Sequence, residues 1–406
     1  MTNKTIALSE PCLNGREWIS VKECIETGWL ATGRFIGQFE TEICRLSGAE
    51  HAVSVASGTA ALQIALKVAG LEPDEEVLVP TVTFIAPVNA VCYGQAHPVF
   101  MDCDQYYNID VEKTAEFLTK ETKTVRGALV NKKTGRRIRA VLPVHVFGHA
   151  ADLGRLVPLC RKFGVRIVED ATESLGTVYR QGQFAGRMTG AVGDIGCYSF
   201  NGNKIITTGS GGMIVTNRKS FADRARYLVN QAKDDSLRYI HHEVGFNYRM
   251  NNVQAALGVS QLASLAEVIR RKKQNYDYYR AAIRGIPGLQ LAEAPKYADN
   301  NFWMYALQVD RRRFGRSRDE LMTAFLKENI EVRPLWYLNH RQRPYRSCQT
   351  YRIEKALDLY RSTLNLPCSA GLSKEQIDRV ISLLNQNKFP SHALFAGGRE
   401  IFQARS

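Results

Sequence analysis

Between residues 51 and 170 the chain alternates short, continuously apolar segments with stretches of helical period. The strand-like segments are HAVSVAS (51–57), EVLVP (76–80), HPVFMD (97–102), IRAVLPVH (138–145) and VRIVED (165–170). Helices are expected between them at 58–70, 83–94, 111–121 and 151–163. A strand that is apolar on both faces has to be covered on both, so this alternation predicts a mostly parallel sheet with helices on each side, an α/β fold. Upstream, a helix is expected over 14–28, with Asn14 and Glu17 spaced as a capping box, Trp18, Val21 and Ile25 on one face and Gly28 closing it. A second fits 38–47, aligning Phe39, Ile43 and Leu46.

From 251 to 284 the pattern is helical throughout and leads to GIPG at 285–288. Beyond it the grammar becomes α+β: a strand is expected at 303–310, with helices at 317–328 and 373–386, the last capped by Ser373 with Gln376. These readings divide the chain into a large α/β domain over 1–280, including an N-terminal arm at 1–37, and a smaller α+β domain over 285–388. Residues 389–406 follow no pattern and form a tail.

Lys and Arg number 54 against 40 Asp and Glu, a net charge of +14. That excess suits nucleic acid, but equally phosphate-bearing small molecules. The densest basic run, NKKTGRRIR (131–139), reads as a hairpin or loop insertion, and no aromatic-interleaved basic helix follows it. A nucleic-acid partner is therefore not expected. The 9 cysteines are odd in number and contain no CxxC pair, which points to neither a disulfide framework nor a metal site. The first residues lack the apolar core of a signal peptide, and no run of about 18 uncharged apolar residues could cross a bilayer. A cytoplasmic protein without membrane partners is expected.

Ligands of open α/β sheets gather beyond the carboxyl ends of the strands, and three strand ends carry suggestive groups. Ser57-Gly58-Thr59 turns a strand into a helix, where converging backbone N–H groups suit a phosphate or simply cap the helix. Asp170 ends the apolar strand VRIVED, and a buried carboxylate needs a cation or hydrogen bonds. It either caps the following ATESLG or faces a cationic ligand atom. Lys204 sits in a polar loop between apolar runs, CYSFNGNKIITTGSGGMIVT (197–216). It is either a surface lysine or one held at a pocket floor, able to attack a carbonyl. Taken in order, a phosphate cradle, an acid for a pyridinium nitrogen and a lysine for an aldehyde match the polar ends of pyridoxal 5′-phosphate (PLP). Phe84, after the next strand end, offers an aromatic face to its ring.

GWLATGRFIGQFE, SGTAAL, PTVTFIAP, VEDATESLG, SFNGNKIITTGSGGM and GFNYRMNNVQAALG occur in this order. The set resembles the DegT/StrS family of PLP-dependent sugar aminotransferases, from about residue 8 to 386. The resemblance implies PLP-dependent transferase fold type I, the aspartate aminotransferase fold. It implies that Lys204 binds the cofactor aldehyde as a Schiff base and moves protons, while Asp170 pairs with the pyridinium nitrogen. Phe84 would stack on the ring; the backbone amides of Gly58 and Thr59, with the Ser199 hydroxyl, would hold the phosphate. Asn247 would reach the phosphate of a neighbouring subunit, which implies a homodimer. Glu173 stands where many relatives carry His or Gln beside the cofactor's phenolic oxygen, and a carboxyl group donates a hydrogen bond there only when protonated. Ser210 replaces a Glu common in relatives.

The wording of SFNGNKIITT, GFNYRMNN, RPLW (333–336) and NLPCSAGLSKEQI (365–377) is most similar to one branch of that family. Members of it make UDP-linked 4-amino sugars in the bacillosamine and legionaminic acid pathways. The implied reaction moves the amine of L-glutamate to C4 of a nucleotide-linked 4-keto-6-deoxy sugar, UDP-2-acetamido-2,6-dideoxy-4-hexulose. A GDP-linked, perosamine-like substrate and a catalytically silent relative are the alternatives. Family members that deoxygenate sugars carry His at the lysine position, and Lys204 speaks against that reaction. Arg249 and Arg333 suit the diphosphate or the glutamate carboxylates, or are solvent-exposed charges. Trp336 either stacks on a base or packs.

Overall fold

The computed structural model describes residues 4–387; the expected tail at 389–406 lies outside the described residues. An eight-stranded sheet runs in the order His51–Val55, Gly212–Thr216, Ile195–Ser199, Arg166–Asp170, Ile138–Val141, Glu76–Pro80, His97–Met101 and Thr350–Tyr351. Every ladder is parallel except those of Gly212–Thr216, which runs antiparallel to both neighbours. All residues of Glu76–Pro80, Ile195–Ser199 and Gly212–Thr216 are buried, so these strands need no polar alternation.

The helix Gly58–Val68 starts where Ser57 Oγ accepts the N–H of Ala60, and it buries Ala61, Leu62, Ile64, Ala65 and Leu66 against the sheet. The expected strand at 138–145 stops at Val141. Pro143 has no N–H to give a ladder, and only a single bridge from Val144 to Asp170 follows. The basic run follows a hairpin of Thr122–Val125 with Ala128–Asn131, pairs back onto that hairpin through a bridge from Arg137 to Val130, and then enters the main-sheet strand Ile138–Val141. The long helical stretch is two helices, Asn252–Leu262 and Leu265–Ile283. An Asn251–Gln254 capping box opens the first.

A second, antiparallel sheet runs in the order Leu289–Leu291, Tyr305–Val309, Thr363–Leu366, Arg333–Pro334. Helices Arg318–Lys327 and Lys374–Gln386 each open with a full capping box, from Ser317 with Glu320 and from Ser373 with Gln376. Two links join distant parts of the chain. Ile6 exchanges backbone hydrogen bonds with Asn329 and Glu331, while Thr350–Tyr351 pairs with His97–Met101.

The first helix departs from its expected packing. It spans Glu17–Thr27, and only half of the capping box forms: Glu17 accepts the N–H of Asn14 and Gly15, while Asn14 Oδ1 accepts that of Arg16. Its expected apolar face is not covered by the chain itself, with Trp18 64% and Ile25 58% exposed. Leu13, Ile19, Trp29 and Leu30 on the same helix and its flanks are exposed as well. No helix among the described residues is long and apolar enough to cross a membrane.

Candidate active site

A cleft of about 610 Å³ opens beyond the carboxyl ends of the main-sheet strands, with the second sheet as its other wall. Gly58, Thr59, Phe84, Asp170, Glu173, Ser199, Lys204, Arg333 and Trp336 all line it. Residues that are more than 270 positions apart in sequence thus meet at one site.

At one end the N–H groups of the first turn of Gly58–Val68 have no intrahelical acceptor. Ser57 Oγ serves Ala60, 3.1 Å away, so the amides of Gly58 and Thr59 are left for a ligand. A Cβ on Gly58 would lie 2.7 Å from Ser199 Cβ and 3.0 Å from its Oγ, so only glycine lets the Ser199 hydroxyl approach the helix start. Amides, a hydroxyl and a helix N-terminus form an anion cradle of phosphate size.

At the other end Asp170 is 1% exposed. Its Oδ1 accepts the N–H of Thr172 at 3.0 Å. Burial pushes its carboxyl pKa up, against the pull of Thr172 and the positive charge of Lys204. Such a carboxylate lacks a full cationic partner, and a protonated ring nitrogen supplies one. Behind it, His145 Nε2 meets Glu169 Oε2 at 2.9 Å while His145 Nδ1 accepts the N–H of Ala151 at 3.0 Å. An Nδ1 that accepts leaves the proton on Nε2, so His145 is a neutral donor to Glu169. Glu169 also takes the N–H groups of Gly190 and Val192, which makes it a structural acid rather than a ligand group.

Lys204 lies between them, its side chain 12% exposed and its Nζ 4.0 Å from Glu173 Oε1. Burial lowers its pKa, opposed by the charges of Glu173 and then Asp170. The Nζ sits 4.2 Å from the centre of the Trp303 ring, whose Nε1 donates to Asn203 O at 2.7 Å and so fixes the ring. Glu173 is buried, with Oε2 accepting the N–H of Phe147 at 2.8 Å, and burial raises its pKa to about 7. Phe147 reaches that position only with a φ of 59°, a left-handed conformation unfavourable for a bulky residue.

Phe84 precedes the helix Ile85–Tyr93 and is 54% exposed to the cleft side, edge-on to Trp336 at 6.4 Å. Trp336 in turn packs on Phe147 at 5.1 Å. Arg333 faces the opening, held by its own segment through Val332 O at 3.0 Å. Asn247 and Arg249 are exposed and do not line this cleft; their backbones bridge to Asn230 and Val55. Phe147 and Trp303 were not anticipated. Phe147 follows the apolar run at 138–145, so its strand-end position was a usable signal; Trp303 had none, because it reaches Lys204 through the second sheet.

An anion cradle, an acid without a full cationic partner and a lysine of lowered proton affinity, on an α/β sheet of this topology, define a PLP-dependent enzyme of fold type I. The DegT/DnrJ/EryC1/StrS aminotransferase family matches residues 11–385. The chain belongs to that family and is a PLP-dependent sugar aminotransferase. It is 35% identical over 384 residues to GDP-perosamine synthase of Caulobacter vibrioides, covering 94% of this chain and 98% of that one. EpsN of Bacillus subtilis, whose name assigns it provisionally to the pyridoxal phosphate-dependent aminotransferases, is 33% identical over 390 residues, 94% of this chain and 95% of its own. The solved structure of DesI with its TDP-sugar product superposes with a TM-score of 0.83 at 27% identity, over 95% of this chain and 93% of that one. Two of these names carry a nucleotide sugar, one GDP-linked and one TDP-linked, and the UDP-specific branch expected from the motif wording is not singled out among them.

Proposed function

We propose that the protein moves the amino group of L-glutamate to C4 of a nucleotide-linked 4-keto-6-deoxy hexose, in amino-sugar synthesis for a surface glycan. The observation that carries this reading is the placement of Lys204 Nζ, 4.0 Å from Glu173 Oε1 and in the same cleft as Asp170 and the amide cradle. PLP, when bound, supplies an electron-withdrawing ring that makes the proton on an amino-bearing carbon acidic. The Gly58 and Thr59 amides with the Ser199 hydroxyl would hold its phosphate, and Phe84 would cover one ring face. Asp170 keeps the ring nitrogen protonated, its own burial cost being relieved by that charge. Glu173 would stand at the phenolic oxygen. The Lys204 amine, its proton affinity lowered by burial and held from solvent, would take the proton from the amino-bearing carbon and pass it on. Arg333 at the opening suits a carboxylate or diphosphate, and Trp336 acts through packing on Phe84 and Phe147.

The active unit in this reading is a homodimer. The exposed apolar side chains around Glu17–Thr27, among them Trp18, Ile19, Ile25 and Trp29, suit a contact with a second copy. Asn247 and Arg249, outside their own cleft, then serve the site of the second copy.

The motif wording favours UDP-2-acetamido-2,6-dideoxy-4-hexulose as acceptor. The name of the Caulobacter vibrioides relative favours a GDP-linked, perosamine-like one as a second reading. Incubation with PLP, L-glutamate and each keto sugar separates them by which amino sugar forms. Product from neither, with 2-oxoglutarate also absent, would indicate the catalytically silent alternative.

A further inference from the structure

Among the described residues, four buried side-chain polar atoms have no hydrogen-bond partner, and two of them, Thr83 Oγ1 and Asn365 Oδ1, belong to residues lining this one cleft. Thr83 is 1% and Asn365 5% exposed. A buried polar atom without a partner is costly and uncommon, and two on one cavity point to a ligand that completes them. They come from opposite walls. Thr83 follows the strand Glu76–Pro80 of the main sheet, and its carbonyl is held by Asn339 Nδ2 at 2.7 Å. Asn365 lies in Thr363–Leu366 of the second sheet, directly opposite Arg333 in the ladder. Residues paired in this way project to the same face.

Resting on the proposed function, the polar ends of PLP already have their partners in Gly58, Thr59, Ser199, Asp170, Glu173 and Lys204. L-Glutamate offers carboxylates, which are acceptors and match the guanidinium of Arg333 rather than a carboxamide oxygen. A ring hydroxyl both donates and accepts, and so satisfies a carboxamide oxygen and a threonine hydroxyl alike. We infer that Thr83 and Asn365 are a hydroxyl-recognising pair that grips the hexose ring of the nucleotide sugar from the two sheets. They determine which sugar is accepted, and neither cofactor nor amino donor depends on them.

The test compares PLP-loaded wild type, Thr83→Val and Asn365→Leu by calorimetric titration. The probes are UDP-N-acetylglucosamine and GDP-mannose, with UDP and GDP alone as references. Wild type should bind at least one hexose-bearing probe more tightly than its bare nucleotide. Each variant should weaken that probe by roughly tenfold, the loss expected for one neutral hydrogen bond. Affinity for the bare nucleotide and for PLP should stay the same. Equal weakening of the bare nucleotide, weakened PLP binding, unchanged hexose binding, or no hexose preference in wild type would each overturn the inference. Thr83→Val replaces a hydroxyl by a methyl of similar size, so it carries the test if Asn365→Leu does not fold. A wild type that takes no amine from L-glutamate sinks the proposed function instead, and the titration still judges the pair because it reads binding without turnover.

Discussion

The amine of Lys204 and the carboxyl of Glu173 face each other at 4.0 Å inside the cleft, with Glu173 held by the Phe147 N–H at 2.8 Å. Burial disfavours the charge on both: it lowers the lysine pKa and raises that of the acid to about 7. The lysine therefore gives up its proton more readily while the acid keeps its own to higher pH, and an amine of lowered proton affinity is suited to attack a carbonyl and then shuttle a proton.

Lys204→Ala should abolish amino transfer and the visible band of the PLP-loaded protein, because the nucleophile is lost while the core is untouched. Circular dichroism should show an unchanged fold. Residual turnover near the wild-type rate would place the reactive amine elsewhere.

Asp170→Asn should cut the rate by about a hundredfold or more, since a neutral amide cannot hold the ring nitrogen protonated. Single-turnover absorbance with L-glutamate measures this. A rate within a few-fold of wild type would mean that another acid has the role.

Glu173 also predicts a pH dependence of stability. Its carboxyl pKa is raised from 4.5 to about 7 in the folded chain. Between those values the folded state keeps a proton that the unfolded state has released, so this group stabilises the fold at low pH and loses that contribution as pH rises towards 7. Glu173→Gln should flatten the fall of apo-protein stability across that window, measured by urea melts at several pH values. Parallel pH profiles for the two proteins would show the acid to be ionised throughout.

If Asn247 serves the neighbouring site, Lys204→Ala and Asn247→Ala proteins should each be impaired, yet regain activity when mixed and allowed to exchange subunits. The mixed dimer has one site with both Lys204 and Asn247 intact. Replacing Trp18 and Ile25 by Asp should prevent that rescue and give monomers by sedimentation. No rescue with intact dimers would confine Asn247 to its own chain.

Much of this arrangement was legible before any coordinates. Apolar strands alternating with helices are enough to require a covered parallel sheet, and strand ends are where Ser57, Phe84 and Asp170 had to be inspected. What stayed hidden has physical causes. The pattern of Trp18, Val21 and Ile25 marks an apolar face without saying which chain covers it. Pro143 ends a ladder that apolarity alone would extend. Trp303, Thr83 and Asn365 acquire their roles only when two sheets close on one cleft, and no local spacing records that.

The most direct measurement is the visible absorbance of the purified protein with PLP, before and after L-glutamate. A yellow band that moves to shorter wavelength on adding the amino acid is the predicted result, since it reports the cofactor, the Lys204 linkage and the amino donor together. No band, or a band that L-glutamate and other amino donors leave unmoved, would contradict the account.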